Sequence, residues 1–252
     1  MADSPSTSYA HTAFEHALAV IDDENTRTMD RAHAAYVIQL LVVVVPVDEK
    51  LATDVANVIG RHLEDPDVVF ALLRVLQRGC RDHLAKLTRA LQRLCARAYA
   101  KQMAESLRVL VAVAIETPPW RKTLRVAWVH QVIMERLVAG REHVAALMLA
   151  EWLPERDRAP DWVRPLVEQH PALLADEDLS PPVRWQLHAA APTVAGWKLL
   201  ASIDQEHVLA PEAFGMNFRA AVETLGKAID ETPDNAMRVV LAIWRARLGN
   251  GE

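Results

Sequence analysis

The chain has 252 residues and a net charge of −5, with 51% apolar and 24% charged residues. A chain of this length buries about 70–75% of its unfolded surface, so its core needs no disulfide or metal. Two cysteines, Cys80 and Cys95, are too few for a disulfide framework, and we expect both to be buried free thiols. Apolar runs stay shorter than the ~18 residues of a membrane-spanning helix, so no such span is expected. With only 8 glycines and 6% aromatic residues, the composition favours helices over sheets.

The polar beginning of the chain, MADSPSTSYAHT, lacks the apolar segment of a secretory signal peptide. We expect residues 1–10 to form a disordered tail. The expected location is cytoplasmic, with secretion without a cleaved signal peptide as the alternative. Basic charge is carried mostly by arginine, which is typical of a GC-rich bacterial genome.

Apolar residues recur at helical spacing along almost the whole chain, and no strand or hairpin pattern is visible. The sequence therefore predicts an all-α fold. In chain order, the predicted helices span residues 13–21, 28–45, 48–63, 65–79, 83–102, 105–116, 121–139, 141–153, 161–169, 182–190, 193–203, 211–230 and 234–248.

The most apolar stretch of the chain is YVIQLLVVVVPV, residues 36–47. Its four consecutive valines favour a strand by propensity. However, the segment continues a helical pattern that begins near Thr28, and no second strand is available to pair with it. We therefore predict the end of a helix that is apolar all round and hence buried, stopped by Pro46. Substitution of Leu40 or Val43 should then impair folding.

The segment PERDRAP, residues 154–160, is charged, bounded by prolines and free of large apolar residues. It is the best candidate for an internal linker. It divides the chain into an N-terminal helical part, residues 11–153, and a C-terminal helical part, residues 161–252. We expect the two parts to pack as one domain.

Four helix starts are rich in proline and aspartate, and three of them continue with Val-Arg or Met-Arg. They are DPDVVFALL at Asp65, APDWVRPLV at Ala159, SPPVRWQLHAA at Ser180 and TPDNAMRVVLAIW at Thr232. These starts resemble those of HEAT and armadillo helical repeats. The resemblance implies an irregular α-solenoid of stacked helix pairs, and an irregular multi-helix bundle is the alternative. Solenoids present extended surfaces that bind macromolecules.

No motif of a known enzyme class is visible. The chain lacks the glycine-rich phosphate loops and the GxSxG nucleophile elbow. His11 and His16 in HTAFEH are five residues apart, so they do not share a helix face as two zinc-binding histidines must. We predict no catalytic residue, no cofactor and no metal. An enzyme whose site shows no motif is the third possibility for the function.

The segment from Arg74 to Arg108 carries nine Lys or Arg residues against only Asp82 and Glu105. Five of the nine step by three, four, four and four residues, which places them on one helix face: Lys86, Arg89, Arg93, Arg97 and Lys101. The preceding helix carries three more: Arg74, Arg78 and Arg81. Like charges one turn apart repel by about a few tenths of a kcal/mol each, so a sequence that keeps them tolerates a cost.

Three interpretations of this basic surface stay open. It is a solvated helix face, partly neutralised by acidic neighbours in residues 64–67. Alternatively it binds an acidic protein segment, which suits the planar fork of arginine, or it contacts nucleic-acid phosphates. The acidic total charge and the lack of interleaved aromatic residues weaken the last. We therefore predict a non-enzymatic interaction module (adaptor, regulator or bacterial effector) that docks an acidic partner, with a nucleic-acid-binding helical-repeat protein as the alternative.

All seven tryptophans lie at or after Trp120, and most fall on apolar helix faces that predict core packing. Trp120 and Trp162 instead lie at helix starts beside prolines. If any of the seven side chains is partly exposed, we expect it to be one of these two. They are candidates for partner binding, because exposed tryptophan is a frequent binding hot spot.

Overall fold

The computed structural model describes residues 5–45, 47–80, 84–153, 160–175, 179–205 and 211–249. Across these ranges the protein is all-α, with fourteen α-helices and no β-strand, which confirms the predicted fold class. The helices are α1 (Pro5–Asp22), α2 (Thr28–Leu41), α3 (Glu49–Arg61), α4 (Pro66–Gly79), α5 (Leu84–Ala100), α6 (Ala104–Ile115), α7 (Pro118–Arg121), α8 (Val126–Val138), α9 (Glu142–Trp152), α10 (Val163–Gln169), α11 (Pro181–Ala190), α12 (Val194–Ile203), α13 (Phe218–Asp230) and α14 (Asn235–Gly249). Two 3₁₀ helices, Pro171–Ala175 and Pro211–Asn217, lie between α10 and α11 and between α12 and α13.

Short polar side chains begin several of these helices. At the start of α3, the carboxylate of Asp48 accepts a hydrogen bond from the backbone N–H of Leu51 at 2.8 Å. At the start of α4, Asp65 accepts one from Val68 at 3.2 Å. Pro66 follows Asp65 at the first helical position, where its missing N–H leaves no donor unpaired. Each such cap stabilises a helix by about 1 kcal/mol.

The first helix begins earlier than the sequence predicts. α1 starts at Pro5, so residues 5–10 of the predicted disordered tail lie in a helix, while residues 1–4 lie outside the described residues. Proline is favoured at the first helical position because its backbone angle is already helical. The polar composition of this segment indicated a tail, although polar residues are equally compatible with the exposed end of a helix.

Contacts between residues divide the chain into two compact units, unit 1 (Met1–Met134) and unit 2 (Glu135–Glu252). The division falls within α8 and not at the predicted linker 154–160, of which only Pro160 is described. α9, which ends just before that segment, already belongs to unit 2. Whether residues 154–160 form a linker stays a prediction. That the two parts form one domain stays a prediction.

In unit 1 the first six helices pack both as sequence neighbours and as alternate neighbours. α1 packs on α2, α3 on α4 and α5 on α6. Further contacts join α1, α3 and α5 in one row, and α2, α4 and α6 in a second row. Gly79 allows the ends of α2 and α4 to meet, because a Cβ at this position would lie 2.6 Å from Cγ2 of Val42. Alternate contacts of this kind are what stacked helix pairs produce, and the solenoid arrangement itself stays a prediction.

The leucine stripe of α5 lies in the core of unit 1, as its spacing predicts. Its buried members are Leu84, Leu87, Leu91, Leu94 and Ala98. Cys80 and Cys95 are buried free thiols, also as predicted. Burial raises the pKa of Cys80 to about 11 and that of Cys95 to about 12. Thiols that stay protonated at neutral pH are unreactive, so both cysteines act as packing residues.

The core of unit 2 is built around aromatic rings. Trp185, Trp197 and Trp244 pack edge-to-face or tilted, with ring centroids 5.1 to 6.0 Å apart. His188 is fully buried against Trp197, with 4.3 Å between ring centroids. Neither ring nitrogen of His188 has a hydrogen-bond partner among the described residues, and burial lowers the pKa of this histidine to about 3. The imidazole is therefore a neutral packing ring at physiological pH.

The structure overturns the predicted burial of the valine-rich stretch. α2 ends at Leu41, and one further turn follows, in which the N–H of Val45 bonds to the carbonyl of Leu41 at 2.9 Å. Val42 is buried, but Leu40 and Val43 are 57% and 80% exposed. The reason is that α2 is the first helix of its row. Its inner side packs against α1 and α4, and its outer side faces none of the described helices of unit 1. Pro46, the predicted stop, lies outside the described residues.

Val42 and Val43 are adjacent valines that test this arrangement. Val42→Ala should lower the free energy of unfolding by about 2 kcal/mol, because it leaves a cavity at a buried site. Val43→Ala should change the free energy of unfolding by less than about 0.5 kcal/mol, because its side chain is already in water. Urea denaturation of dilute protein measures both values. Equal losses in the two variants would contradict the exposed position of Val43.

Candidate functional site

Four basic residues of α5, together with Lys101 directly after the helix, form a continuous stripe on the surface of unit 1. The helix runs from Leu84 to Ala100, and its leucines occupy the buried side. The basic side chains lie on the solvent side and extend over about 22 Å at 1.5 Å per residue. All five are exposed: Lys86, Arg89, Arg93, Arg97 and Lys101. We call this set the α5 stripe.

Contacts with α3 hold both ends of the α5 stripe in place. Near the start of α5, Nζ of Lys86 lies 2.6 Å from Oε2 of Glu49. Near its end, Nη1 of Arg97 donates to the carbonyl of Gly60 at 2.8 Å. α3 and α5 therefore run parallel. The Lys86–Glu49 pair is exposed and contributes at most about 1 kcal/mol, so it can be exchanged for a partner at little cost.

Four cations of the α5 stripe have no carboxylate partner among the described residues. In the part of the chain that the structure describes, Arg89, Arg93, Arg97 and Lys101 form no ion pair with a carboxylate. Arg93 donates only to the backbone carbonyl of Arg89, at 3.4 Å. The carbonyl that Arg97 meets is neutral. The stripe therefore presents uncompensated positive charge along one face of a rigid helix.

Other arginines of unit 1 are neutralised. Arg61 forms a two-bond pair with Asp22, at 2.5 and 2.8 Å, and this arginine holds the pKa of the Asp22 carboxyl below its usual value. Arg108 pairs with Glu105 one turn away. Arg61 and Arg108 thus have carboxylate partners, whereas Arg89, Arg93 and Arg97 have none among the described residues.

The arginines of α4 do not belong to the α5 stripe. Arg74 binds Glu116 through two hydrogen bonds, at 2.5 and 3.2 Å, and lies over the ring of Phe70. Glu116 directly follows α6, so this pair joins α4 to α6 within the second row of helices. Arg78, on the same helix, is exposed, and Arg81 lies outside the described residues. The single basic surface predicted from Arg74 to Lys101 is therefore divided between two helices of different rows.

Trp120, one of the two candidates for partial exposure, is buried. This side chain is 1% exposed, and its Nε1 donates to the carbonyl of Leu84 at 2.8 Å. The prolines at 118 and 119 start the short helix α7, which packs on α5 and α6. The indole thereby covers the first turn of α5, beside Leu87 and Leu91. Its role is to hold the helix that carries the α5 stripe.

Trp162 belongs to unit 2 and is half-buried. Its ring stacks on that of Trp152, with centroids 6.0 Å apart and planes 17° from parallel. Trp162 lies in unit 2 and the α5 stripe in unit 1, and the role of Trp162 in partner binding stays a prediction.

Three further features bear on the choice of function. A small hollow beneath Trp120 is lined only by apolar side chains, so no polar groups converge there. The described residues bring no three His, Cys, Asp or Glu side chains into a cluster that could hold a metal ion. Among the described helices, none combines the length and the apolar character needed to cross a membrane.

No protein-family model, no curated protein and no solved structure matches the chain. The resemblance to HEAT and armadillo repeats therefore depends on the helix starts alone. The function has to be argued from the α5 stripe and its surroundings.

Proposed function

We propose that the protein is a non-enzymatic interaction module, an adaptor, regulator or bacterial effector, that binds an acidic segment of a partner protein along the α5 stripe. The observation that supports this proposal is the row of four exposed cations without carboxylate partners among the described residues. As part of the proposal, the two rows of helices in unit 1 are the start of a solenoid of stacked pairs. The proposed setting is the bacterial cytoplasm, or the outside of the cell after secretion without a cleaved signal.

The spacing of the α5 stripe is compatible with regularly spaced carboxylates. Cations four residues apart on a helix repeat about every 6 Å. Acidic residues one turn apart on a partner helix have the same repeat, and alternate residues of an extended segment repeat at a similar length of about 6.6 Å. Arginine can bind each carboxylate through two parallel hydrogen bonds. Binding would also relieve the repulsion between neighbouring cations of the stripe.

The surroundings of the α5 stripe favour protein over nucleic acid. Proteins that bind single-stranded nucleic acid combine cations with aromatic rings on which the bases stack. Tyr99 is an exposed aromatic residue on α5, but it follows Arg97 by two positions and so points about 200° away from it around the helix. A ring placed there cannot stack a base whose phosphate contacts the stripe.

The test is charge reversal on α5. The variant Arg89→Glu/Arg93→Glu/Arg97→Glu should bind a labelled peptide with glutamate at every fourth position at least about 10-fold more weakly than the wild type, because each lost pair contributes about 0.5–1 kcal/mol. Fluorescence anisotropy measures the affinity. The three residues are exposed, so circular dichroism should show unchanged helix content.

The matched control reverses three exposed arginines of unit 2, Arg141, Arg219 and Arg245, to glutamate. It changes the net charge by the same amount and should retain binding. Equal losses in the two variants would show a non-specific charge effect and contradict the proposal. If a labelled oligonucleotide binds more tightly than the peptide, and its affinity falls steeply on adding salt, the partner is nucleic acid and not an acidic protein segment.

A further inference from the structure

The outer side of α2 and of the turn after it is an exposed apolar face. Six large apolar side chains lie on it, each between 42 and 80% exposed. The inner side of the same helix buries Ala34, Ala35 and Ile38. We call the exposed set the α2 face, and its members are Met29, Tyr36, Val37, Leu40, Val43 and Val44.

The α2 face is large for the surface of a monomer. Six such side chains at these exposures present on the order of 600 Å², the upper end of the largest apolar patch on a typical monomeric protein. Two copies of the face together would bury about 1,200 Å², which is the lower limit for a specific protein–protein interface. The area therefore suffices for a second molecule to cover it.

The charges around the α2 face indicate what covers it. The α2 face also carries the exposed His33. No Lys, Arg, Asp or Glu lies between Arg31 and Asp48, so two copies of the face meet without pairing two carboxylates or two Lys or Arg side chains. A helix that lies on a membrane carries Lys and Arg on the side opposite its apolar face. In α2 that opposite side is buried in the protein, so the arrangement does not fit a lipid surface.

A two-fold axis that passes through the middle of the α2 face, perpendicular to the helix, makes the two copies of α2 antiparallel. It also sets the two helix dipoles antiparallel. In such a two-fold arrangement the same patch serves both molecules.

We propose that the protein forms a two-fold symmetric dimer in which the α2 faces of two copies pack antiparallel, with Tyr36 and Leu40 near the axis. The α5 stripe lies in the other row of helices, so the dimer uses a surface distinct from it. The proposal is independent of what the α5 stripe binds.

Sedimentation velocity of the full chain tests the dimer. The protein concentration runs from about 1 to 100 µM, the range of dissociation constants expected for an interface of this size. The wild type should shift from monomer to dimer as its concentration rises. Leu40→Glu/Val43→Glu should stay monomeric throughout, with unchanged helix content, because both residues are exposed in the monomer. The control Val239→Glu/Ile243→Glu, at two exposed apolar residues of α14, should dimerise as the wild type does.

Disulfide trapping tests the antiparallel geometry. Leu40→Cys, close to the axis, should cross-link to its own copy under mild oxidation. Met29→Cys should not, because two such residues would lie roughly 25 Å apart along an antiparallel helix pair. The native thiols do not interfere, because both are buried. The proposal would be overturned if the wild type is monomeric at 100 µM or binds neutral lipid vesicles as a monomer. It would also be overturned by a dimer that Leu40→Glu/Val43→Glu leaves intact, or by cross-linking at Met29→Cys.

Discussion

Trp120→Ala is expected to lower the free energy of unfolding of unit 1 by about 3–5 kcal/mol, the range for removing a large buried ring. Trp120 is almost completely buried and covers the start of α5. Its removal leaves a cavity, and the carbonyl of Leu84 loses the hydrogen bond from the indole. Urea denaturation followed by circular dichroism measures the loss.

Two variants separate the contributions of Trp120. Trp120→Phe keeps most of the ring but cannot donate a hydrogen bond, so it should cost about 1–2 kcal/mol of the free energy of unfolding, less than Trp120→Ala. Trp162→Ala removes a half-buried indole at a similar proline-flanked helix start and should cost less than Trp120→Ala. A loss below about 1 kcal/mol for Trp120→Ala would show that its indole is exposed.

Acidification is expected to destabilise unit 2 through His188, by about 3 kcal/mol between pH 7 and pH 4. Burial lowers the pKa of His188 in the folded protein to about 3, from 6.5 when it is unfolded. Between these two pKa values the unfolded chain binds a proton that the folded chain excludes. The free energy of unfolding therefore falls as the pH drops below 6.5, and His188 causes no further loss below about pH 3.

The comparison of wild type with His188→Leu isolates this effect, since all other titrating groups are common to both proteins. The difference in free energy of unfolding between the two should change by about 1.4 kcal/mol per pH unit in this window. His16→Gln, at an exposed histidine of α1, should follow the wild type. A His188→Leu variant that loses stability with acid as steeply as the wild type would rule out the buried neutral imidazole.

The parts of the fold that the sequence predicted correctly depend on local patterns. The leucine spacing of α5 identified its buried side, and the same spacing placed the basic residues on the exposed side. Aspartates before helices are caps because their side chains reach the N–H groups of the first turn, which is a contact within four residues. Such features need no knowledge of how distant segments meet.

The errors concern contacts between segments that are distant in sequence. α2 is apolar on both sides, so its sequence could not show that only one side finds neighbours. Trp120 reaches the carbonyl of Leu84, 36 positions earlier in the chain, which no helical period reveals. Arg74 and Arg97 both look like parts of one basic segment, yet they lie in different rows because α4 and α5 do. In each case the burial or position of the residue depends on which helices pack side by side.

The exposed valines of the α2 face also matter before folding is complete. Residues 40–45 form a short, uncharged segment of high β-propensity, the kind that seeds aggregation when it is accessible. Pro46 and the charged triplet Asp48, Glu49 and Lys50 follow at once. A proline and charges at this position act as gatekeepers, because neither fits within a growing cross-β stack. We therefore expect these residues to keep newly made chains from associating through this segment.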